Sequence, residues 1–294
     1  MKLIDGKALA ETIKSEIEVE VQHIKAAGGK TPHLAAILVG DNAASASYVR
    51  NKVRSCEQCG FKSTLIRRDA DITEDELMGI INDLNEDPDI DGFIVQLPLP
   101  EHINDEDIIL AIKPSKDVDG FHPINFGRMA QGLPAYLPAT PYGILQMLER
   151  YEIETSGKHC VVVGRSNIVG TPMSILLSRK AKIGNCTVTL THSRTHDLAA
   201  ETRRADIIIA AIGRDNFITA DMVKEGAVVI DVGINRVDDT TRKRGYRLTG
   251  DVDFEGVAPK CSYITPVPGG VGPMTVVSLL MNTLKASRKE IYEF

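Results

Sequence analysis

Short apolar runs alternate with helix-length amphipathic segments along most of this chain, and that rhythm restricts the fold more than any other feature. LAAILVG at 34–40 is almost continuously apolar, the pattern of a strand covered on both faces. A helical stretch through Cys59 and the β-branched segment at 61–67 follow, which completes a βαβ unit. Thr73 and Glu76 have the spacing of a capping box that opens a helix carrying Leu77, Ile80, Ile81 and Leu84. DIDGFIVQLPLP then supplies a third strand running into a Pro-rich loop. Farther on, Cys160–Val163 and the segments 187–193, 205–213 and 226–233 form four more apolar strands separated by helical stretches, which predicts a doubly wound parallel sheet.

At about 150 residues per domain, 294 residues correspond to two domains. The break falls at LPATP, where Thr140 reads as a helix cap and Pro141 as a first-turn residue. The expectation is therefore an α/β protein with a first domain over 1–140 and a Rossmann-like domain over 141–272. A last amphipathic helix within 273–294, carrying Met274, Val277, Leu280, Met281 and Leu284, is expected to return to the first domain. The polar and basic segment 237–249 reads as an excursion at the sheet edge. At the N-terminus, Leu9, Ile13, Ile17, Val21 and Ile24 share one helical face that ends at Gly28 and Gly29.

Charge and cysteine usage narrow the function classes. Thirty-four Lys and Arg against 40 Asp and Glu leave a net charge of -6, which argues against a broad nucleic-acid surface. No segment approaches the 18 or more apolar residues that span a bilayer, and the N-terminus lacks the apolar stretch of a signal peptide. Five sparse cysteines do not make a disulfide framework, so a reducing cytoplasm is expected. Cys56 and Cys59 form a single C-x-x-C inside a helix with no clustered His, and no metal is expected there.

The strand Cys160–Val163, followed by Gly164, Gly170 and Pro172 at a helix start, has the setting of a dinucleotide loop. Its spacing departs from G-x-G-x-x-G, and an ordinary tight turn is the other reading. Where an NAD site often carries a carboxylate, this chain has Thr191, His192, Ser193, Arg194 and Thr195. With Arg165 near the first strand, these hydroxyls and cations suit a 2′-phosphate, so NADP is the expected cofactor and NAD the alternative.

Ser45, Tyr48 and Lys52 lie at i, i+3 and i+7, on one side of a helix. A lysine beside a phenol in an enclosed cleft loses proton affinity and becomes a usable relay; a solvated Lys and a packed Tyr fit the same spacing. Gln96 ends the third strand, and Asp117 and Asp119 occupy the loop beyond it, at the sheet edge where open α/β domains place ligands. PVPGGVGPMT at 266–275 packs Gly269, Gly270 and Gly272 into four residues, which permits close backbone approach to a flat ring.

Taken together, Tyr48-Val49-Arg50-Asn51-Lys52, Gln96-Leu97-Pro98-Leu99-Pro100, Lys116–Phe121, Gly164-Arg165-Ser166 with Val169-Gly170, and Pro268–Pro273 resemble the bifunctional methylenetetrahydrofolate dehydrogenase and methenyltetrahydrofolate cyclohydrolase family across essentially the whole chain. The resemblance implies a folate-binding catalytic domain and a cofactor domain separated by a cleft. It implies NADP-linked oxidation of 5,10-methylenetetrahydrofolate and hydrolysis of the product to 10-formyltetrahydrofolate. Lys52 carries over as the acid/base residue, Tyr48 as the residue orienting the folate, Gln96 as the partner of Lys52 and Asp119 as the pterin carboxylate. Leu97, Pro98, Pro268, Gly269 and Gly270 carry over to the substrate. Gly164, Arg165, Ser166, Val169, Gly170, Ser193, Arg194, Ile234, Gly272 and Thr275 carry over to the cofactor. A homodimer through the cofactor domains is also implied, with tetrahydrofolate derivatives as the partners and neither nucleic acid nor membrane. Competing expectations are a different two-domain NAD(P)-dependent dehydrogenase and a folate- or nucleotide-binding protein without turnover.

Overall fold

The computed structural model describes residues 1–242 and 245–292; Lys243 and Arg244 of the basic excursion and the last two residues of the terminal segment lie outside them. The chain opens with β1 (Lys2–Leu3) and α1 (Gly6–Ala26), then runs β2 (His33–Val39), α2 (Ala43–Gln58), β3 (Lys62–Arg68), α3 (Glu74–Glu86), β4 (Gly92–Val95), α4 (Asp105–Ala111) and α5 (Pro123–Ala130). After α6 (Ala139–Arg150) come β5 (His159–Val163), α7 (Gly170–Ser178), β6 (Thr187–Thr191), α8 (Leu198–Arg203), β7 (Ile207–Ala210) and β8 (Val228–Asp231). The hairpin β9 (Asn235–Asp238) and β10 (Tyr246–Thr249), the short α9 (Phe254–Val257), β11 (Tyr263–Ile264) and α10 (Val271–Ser287) close it.

The chain divides into two compact units. One comprises residues 11–139 and 276–294, the other residues 1–10 and 140–275. In the first, β3-β2-β4 form a parallel sheet. Every residue of β2 is buried, as a central parallel strand requires. Ala35, Ile37, Val39, Phe93 and Val95 build a core with Leu77, Ile81 and Leu84 of α3. The Thr73 hydroxyl accepts the Glu76 N–H while the Glu76 carboxylate accepts the Thr73 N–H, so the capping box starts α3 as its sequence predicts. In α10, the amide N–H2 of buried Asn282 donates to the carbonyls of Val118 and Leu137 at 2.8 and 2.9 Å.

The second unit holds a six-stranded parallel sheet in the order β1-β11-β8-β7-β5-β6. From β5 the chain crosses to β6 on one side and returns to β7 on the other, the doubly wound arrangement expected from the apolar runs. Val161, Val163, Ile208, Ala210, Val229 and Ile264 form its core. The two-residue strands β1 and β11 are too short to show a period.

Both three-stranded segments start with the same polar clamp. His33 at the head of β2 bonds Thr64 of β3 through Nε2, and its backbone N–H donates to Asp91 just before β4. His159 at the head of β5 repeats this with Thr189 of β6 and Asp206 just before β7.

Three local expectations need correction. Helix α6 begins at Ala139, so Thr140 lies inside its first turn and is not the cap. Proline has no N–H to satisfy there, so Pro141 tolerates any first-turn position. The 237–249 excursion carries strands of its own: among the described residues, β9 and β10 pair with each other, antiparallel, as a separate two-stranded sheet. Helix α10 begins at Val271, two residues before the expected start, which puts Gly272 in a helical turn and not in the loop.

Candidate active site

Helix α2 starts where the Asn42 side chain accepts the N–H groups of Ala44 and Ser45. Its buried stripe is Ser45, Val49, Lys52, Ser55 and Cys56, so a lysine occupies a position an apolar residue would normally take. Lys52 is 7% exposed. Its Nζ donates to Gln96 Oε1 at 3.2 Å and stands 5.4 Å from the centroid of the half-buried Tyr48 ring. Burial holds the Lys52 proton affinity below that of a free lysine, because the charged form loses its hydration; Asp119 and Cys56 oppose the shift. Burial pushes the Asp119 carboxyl upward, with the Lys52 charge opposing.

Gln96 extends β4, its N–H donating to the Ile37 carbonyl at 3.0 Å. Its side-chain N–H2 donates to the Leu97 carbonyl at 2.8 Å, which turns the amide oxygen toward Lys52. The peptide bonds preceding Pro98 and Pro268 are cis. Asp117 and Asp119 have different situations. Asp117 is buried and accepts from Phe121 N, His122 N and Asn125 Nδ2; burial pushes it up to about 7. Asp117 therefore shapes the loop, and Asp119, half-buried, is the carboxylate beside Lys52. The thiols of Cys56 and Cys59 are pushed up to about 12 and 11 by burial, which keeps them protonated and inert as nucleophiles.

In the other unit, Gly164 follows β5 at φ +115°, and a Cβ there would lie 2.1 Å from the Ala211 carbonyl oxygen at the end of β7. A Cβ on Gly170 would lie 2.0 Å from the Gly164 carbonyl oxygen. Both glycines let the turn close at the point where the strand order reverses, the place such sheets offer a dinucleotide. The Ser166 hydroxyl accepts the N–H groups of Val169 and Gly170 at 3.2 and 3.4 Å, so it closes the turn that leads into α7, and Val169 is buried. Arg165, Ser193 and Arg194 are exposed, with the Arg194 N–H donating to His192 Nδ1. The exposed cations and the tight turn at a helix start fit a phosphate-bearing dinucleotide.

Ile234 is 55% exposed, and its Cδ1 lies 3.7 Å from the Cβ position of Gly272, so the fold brings together two candidates far apart in sequence. The Thr275 hydroxyl donates to the Gly272 carbonyl at 2.7 Å, inside α10. The expected ring-contacting loop is mostly self-packed. A Cβ on Gly270 would lie 2.5 Å from the Pro266 carbonyl oxygen, whereas Gly269, at φ +103°, has open space beside it and Pro268 is exposed. Sequence reasoning passes over buried Asp251, whose only signal is the Gly250-Asp251 pair after the hairpin.

Residues 4–119 match the family model for the tetrahydrofolate dehydrogenase/cyclohydrolase catalytic domain, and residues 138–291 match that family's NAD(P)-binding domain. The bifunctional protein FolD of Phocaeicola vulgatus is 64% identical over 293 residues, covering 100% of both chains. Among solved structures, the bifunctional FolD dehydrogenase/cyclohydrolase of Campylobacter jejuni is 49% identical, with a TM-score of 0.92 over 99% of each chain. The Trypanosoma brucei enzyme, solved with NADP cofactor and an inhibitor, is 37% identical with a TM-score of 0.92 over 99% of this chain and 98% of its own.

Proposed function

The chain belongs to the tetrahydrofolate dehydrogenase/cyclohydrolase family, and from that membership we propose that Lys52, positioned by Gln96, performs its hydrolytic proton transfers. The protein oxidises 5,10-methylenetetrahydrofolate to the 5,10-methenyl form with NADP and hydrolyses that product to 10-formyltetrahydrofolate. The observation that carries the residue assignment is a lysine buried on the inner stripe of α2, 3.2 Å from a neutral amide oxygen. A buried amine bonded to a neutral amide oxygen is partly available as a base.

The hydrolysis sets a clear proton balance. As water adds to the bridging carbon of the methenyl cation, it gives up a proton, which neutral Lys52 accepts. The C–N5 bond then opens while a proton moves from the new hydroxyl to N5, a transfer the same group serves. One proton is released to solvent overall. Asp119 accepts N–H groups of the pterin, and Tyr48, Leu97 and Pro98 orient the folate. This holds the reacting carbon near the amine.

Bound NADP accepts a hydride from the methylene carbon. Gly164, Ser166, Val169 and Gly170 shape the turn that would hold its pyrophosphate, and Arg165, Ser193 and Arg194 would receive the 2′-phosphate. Ile234, Gly272 and Thr275 would contact the rest of the dinucleotide. We also propose a homodimer through the cofactor domains, supported by the family likeness, and a cytoplasmic location, supported by five free thiols. Sedimentation velocity at micromolar concentration gives one dimer-sized species; a single monomer-sized boundary refutes the assembly.

One assay tests the chemistry. Methylenetetrahydrofolate and NADP are mixed with the protein, and NADPH formation is followed alongside methenyl absorbance. Added methenyltetrahydrofolate is followed alone in parallel. Both signals respond if the reading is right. NADPH formation without faster methenyl decay leaves a dehydrogenase only, and neither signal leaves a binding protein.

A further inference from the structure

Two buried carboxylates that take no part in the chemistry above lie at the carboxyl edge of the six-stranded sheet. Asp231 ends β8 and Asp251 follows β10 by two positions; they are 3% and 0% exposed. Asp251 Oδ2 accepts the N–H groups of Ile212 and Gly213 at 2.7 and 2.9 Å. Its Oδ1 accepts Arg214 N at 2.8 Å and Asn235 Nδ2 at 3.0 Å. Asp231 accepts Gly233 N, Asp251 N and Val252 N at 2.9, 2.9 and 3.0 Å. The Asp231 N–H donates to the Thr265 hydroxyl at 2.7 Å. The loops leaving β7, β8 and β10 are thus tied to one pair of carboxylates, and the loop leaving β11 to the backbone of Asp231.

Burying two adjacent carboxylates is costly even when each is hydrogen-bonded, and apolar residues would fill the space more cheaply. The surrounding sequence nonetheless makes room for them. A Cβ on Gly233 would lie 2.3 Å from Asp251 Oδ1, and one on Gly250 would lie 1.8 Å from Asp231 Oδ2. What the arrangement secures is loop geometry. Ile234, 55% exposed, sits between Gly233, whose N–H is held by Asp231, and Asn235, whose side chain is held by Asp251. The 212–214 segment, held by the other three bonds to Asp251, leaves β7 beside the Gly164 turn.

We propose that Asp251 is a positioning residue for NADP, fixing the 212–214 loop and Ile234 as one rigid wall of the dinucleotide site. It acts on hydride transfer and leaves hydrolysis untouched. The inference rests on the reading above that this unit binds the cofactor.

The test uses the full chain carrying Asp251→Asn or Asn235→Ala, with both half-reactions and a melting curve for each. An asparagine at 251 must aim its N–H2 at two of the N–H donors the carboxylate serves, because each oxygen accepts two, and a flip of the Asn235 amide relieves at most one of them. Loss of one charged hydrogen bond corresponds to about a tenfold effect, so the KM for NADP rises by roughly that factor in Asp251→Asn and by less in Asn235→Ala. Hydrolysis of added methenyltetrahydrofolate, which uses no cofactor, keeps its kcat/KM within about twofold. An unchanged cofactor KM in cooperatively melting Asp251→Asn overturns the proposal, as does an equal loss of both activities. If Asp251→Asn does not melt cooperatively, Asn235→Ala decides, and an unchanged cofactor KM there overturns it. A wild-type protein that hydrolyses the methenyl substrate but reduces no NADP refutes the cofactor reading itself, and the positioning role falls with it.

Discussion

Lys52 Nζ lies 3.2 Å from Gln96 Oε1, and the same amide gives its N–H2 to the Leu97 carbonyl at 2.8 Å. The second bond fixes the first: a flipped amide would set an N–H2 against the lysine and its oxygen against a carbonyl. Lys52 therefore faces a neutral acceptor, which orients the amine without adding the attraction a carboxylate would give its proton. Gln96→Glu would supply that charge and raise the Lys52 proton affinity. Methenyl hydrolysis at neutral pH falls by about tenfold or more, with the rate recovering as pH rises, since one unit of pKa is about tenfold in neutral amine. A pH–rate profile that keeps its wild-type limb rejects this account of Gln96.

Replacing Lys52 with Met keeps the aliphatic stem and removes the proton carrier. Hydrolysis of added methenyltetrahydrofolate drops by about 100-fold or more, the usual span of general acid–base catalysis. Hydride transfer needs no proton at that position and loses less. The two half-reactions measured on one preparation give the comparison; wild-type hydrolysis in the variant removes Lys52 from the mechanism.

The same variant carries a stability signature. Burial lowers the Lys52 pKa in the folded chain from 10.5, whereas the unfolded chain keeps the ordinary value. Between those two values the unfolded state binds more protons, so wild-type stability increases as pH rises through that window. Below the folded pKa the desolvation penalty is complete. Lys52→Met removes it, so its melting temperature exceeds that of wild type at neutral pH, and the difference shrinks toward pH 10.5. A difference that is constant from pH 7 to 10 contradicts the buried-charge reading.

What the sequence reveals here follows from how local each signal is. The α1 stripe and the Thr73/Glu76 box are set within a few residues, and both are readable before folding. The Tyr48–Lys52 pairing is a helical spacing and equally visible. The Lys52–Gln96 contact spans 44 residues and depends on α2 packing beside the end of β4, which no period reports. Likewise the bonds from Val169 N and Gly170 N to the Ser166 hydroxyl depend on the turn that closes after β5, which the glycine spacing alone does not report. The paired His clamps escape a search for repeats for a countable reason. His33 lies 31 and 58 residues from Thr64 and Asp91, but His159 lies 30 and 47 from Thr189 and Asp206, so no single period aligns them.

Asn282 connects the final helix to the loop that carries Asp119. Its N–H2 satisfies the carbonyls of Val118 and Leu137, and the residue is fully buried. Asn282→Ala strands those acceptors, at a cost of about 1–3 kcal/mol, seen as a lower denaturation midpoint. Val118 immediately precedes Asp119, so the KM for folate rises in both half-reactions. A lowered midpoint with an unchanged folate KM would restrict Asn282 to a purely structural role.

Gly164 decides whether the cofactor turn can close. Its φ of +115° and the Ala211 carbonyl oxygen 2.1 Å from the Cβ position act together. The Ala211 N–H is bonded to the Val163 carbonyl at 2.8 Å, so neither strand end can retreat without losing a sheet bond. Gly164→Ala costs about 2 kcal/mol or more from strain and displaced backbone, and NADP-linked reduction falls further than methenyl hydrolysis. Gly157→Ala is the comparison: φ is +74° there with nothing within 4 Å, so it incurs a left-handed-backbone penalty of about 1–2 kcal/mol without a collision. Equal losses of NADP-linked reduction in the two variants would mean that backbone conformation alone, and not the close approach of β7, governs the turn.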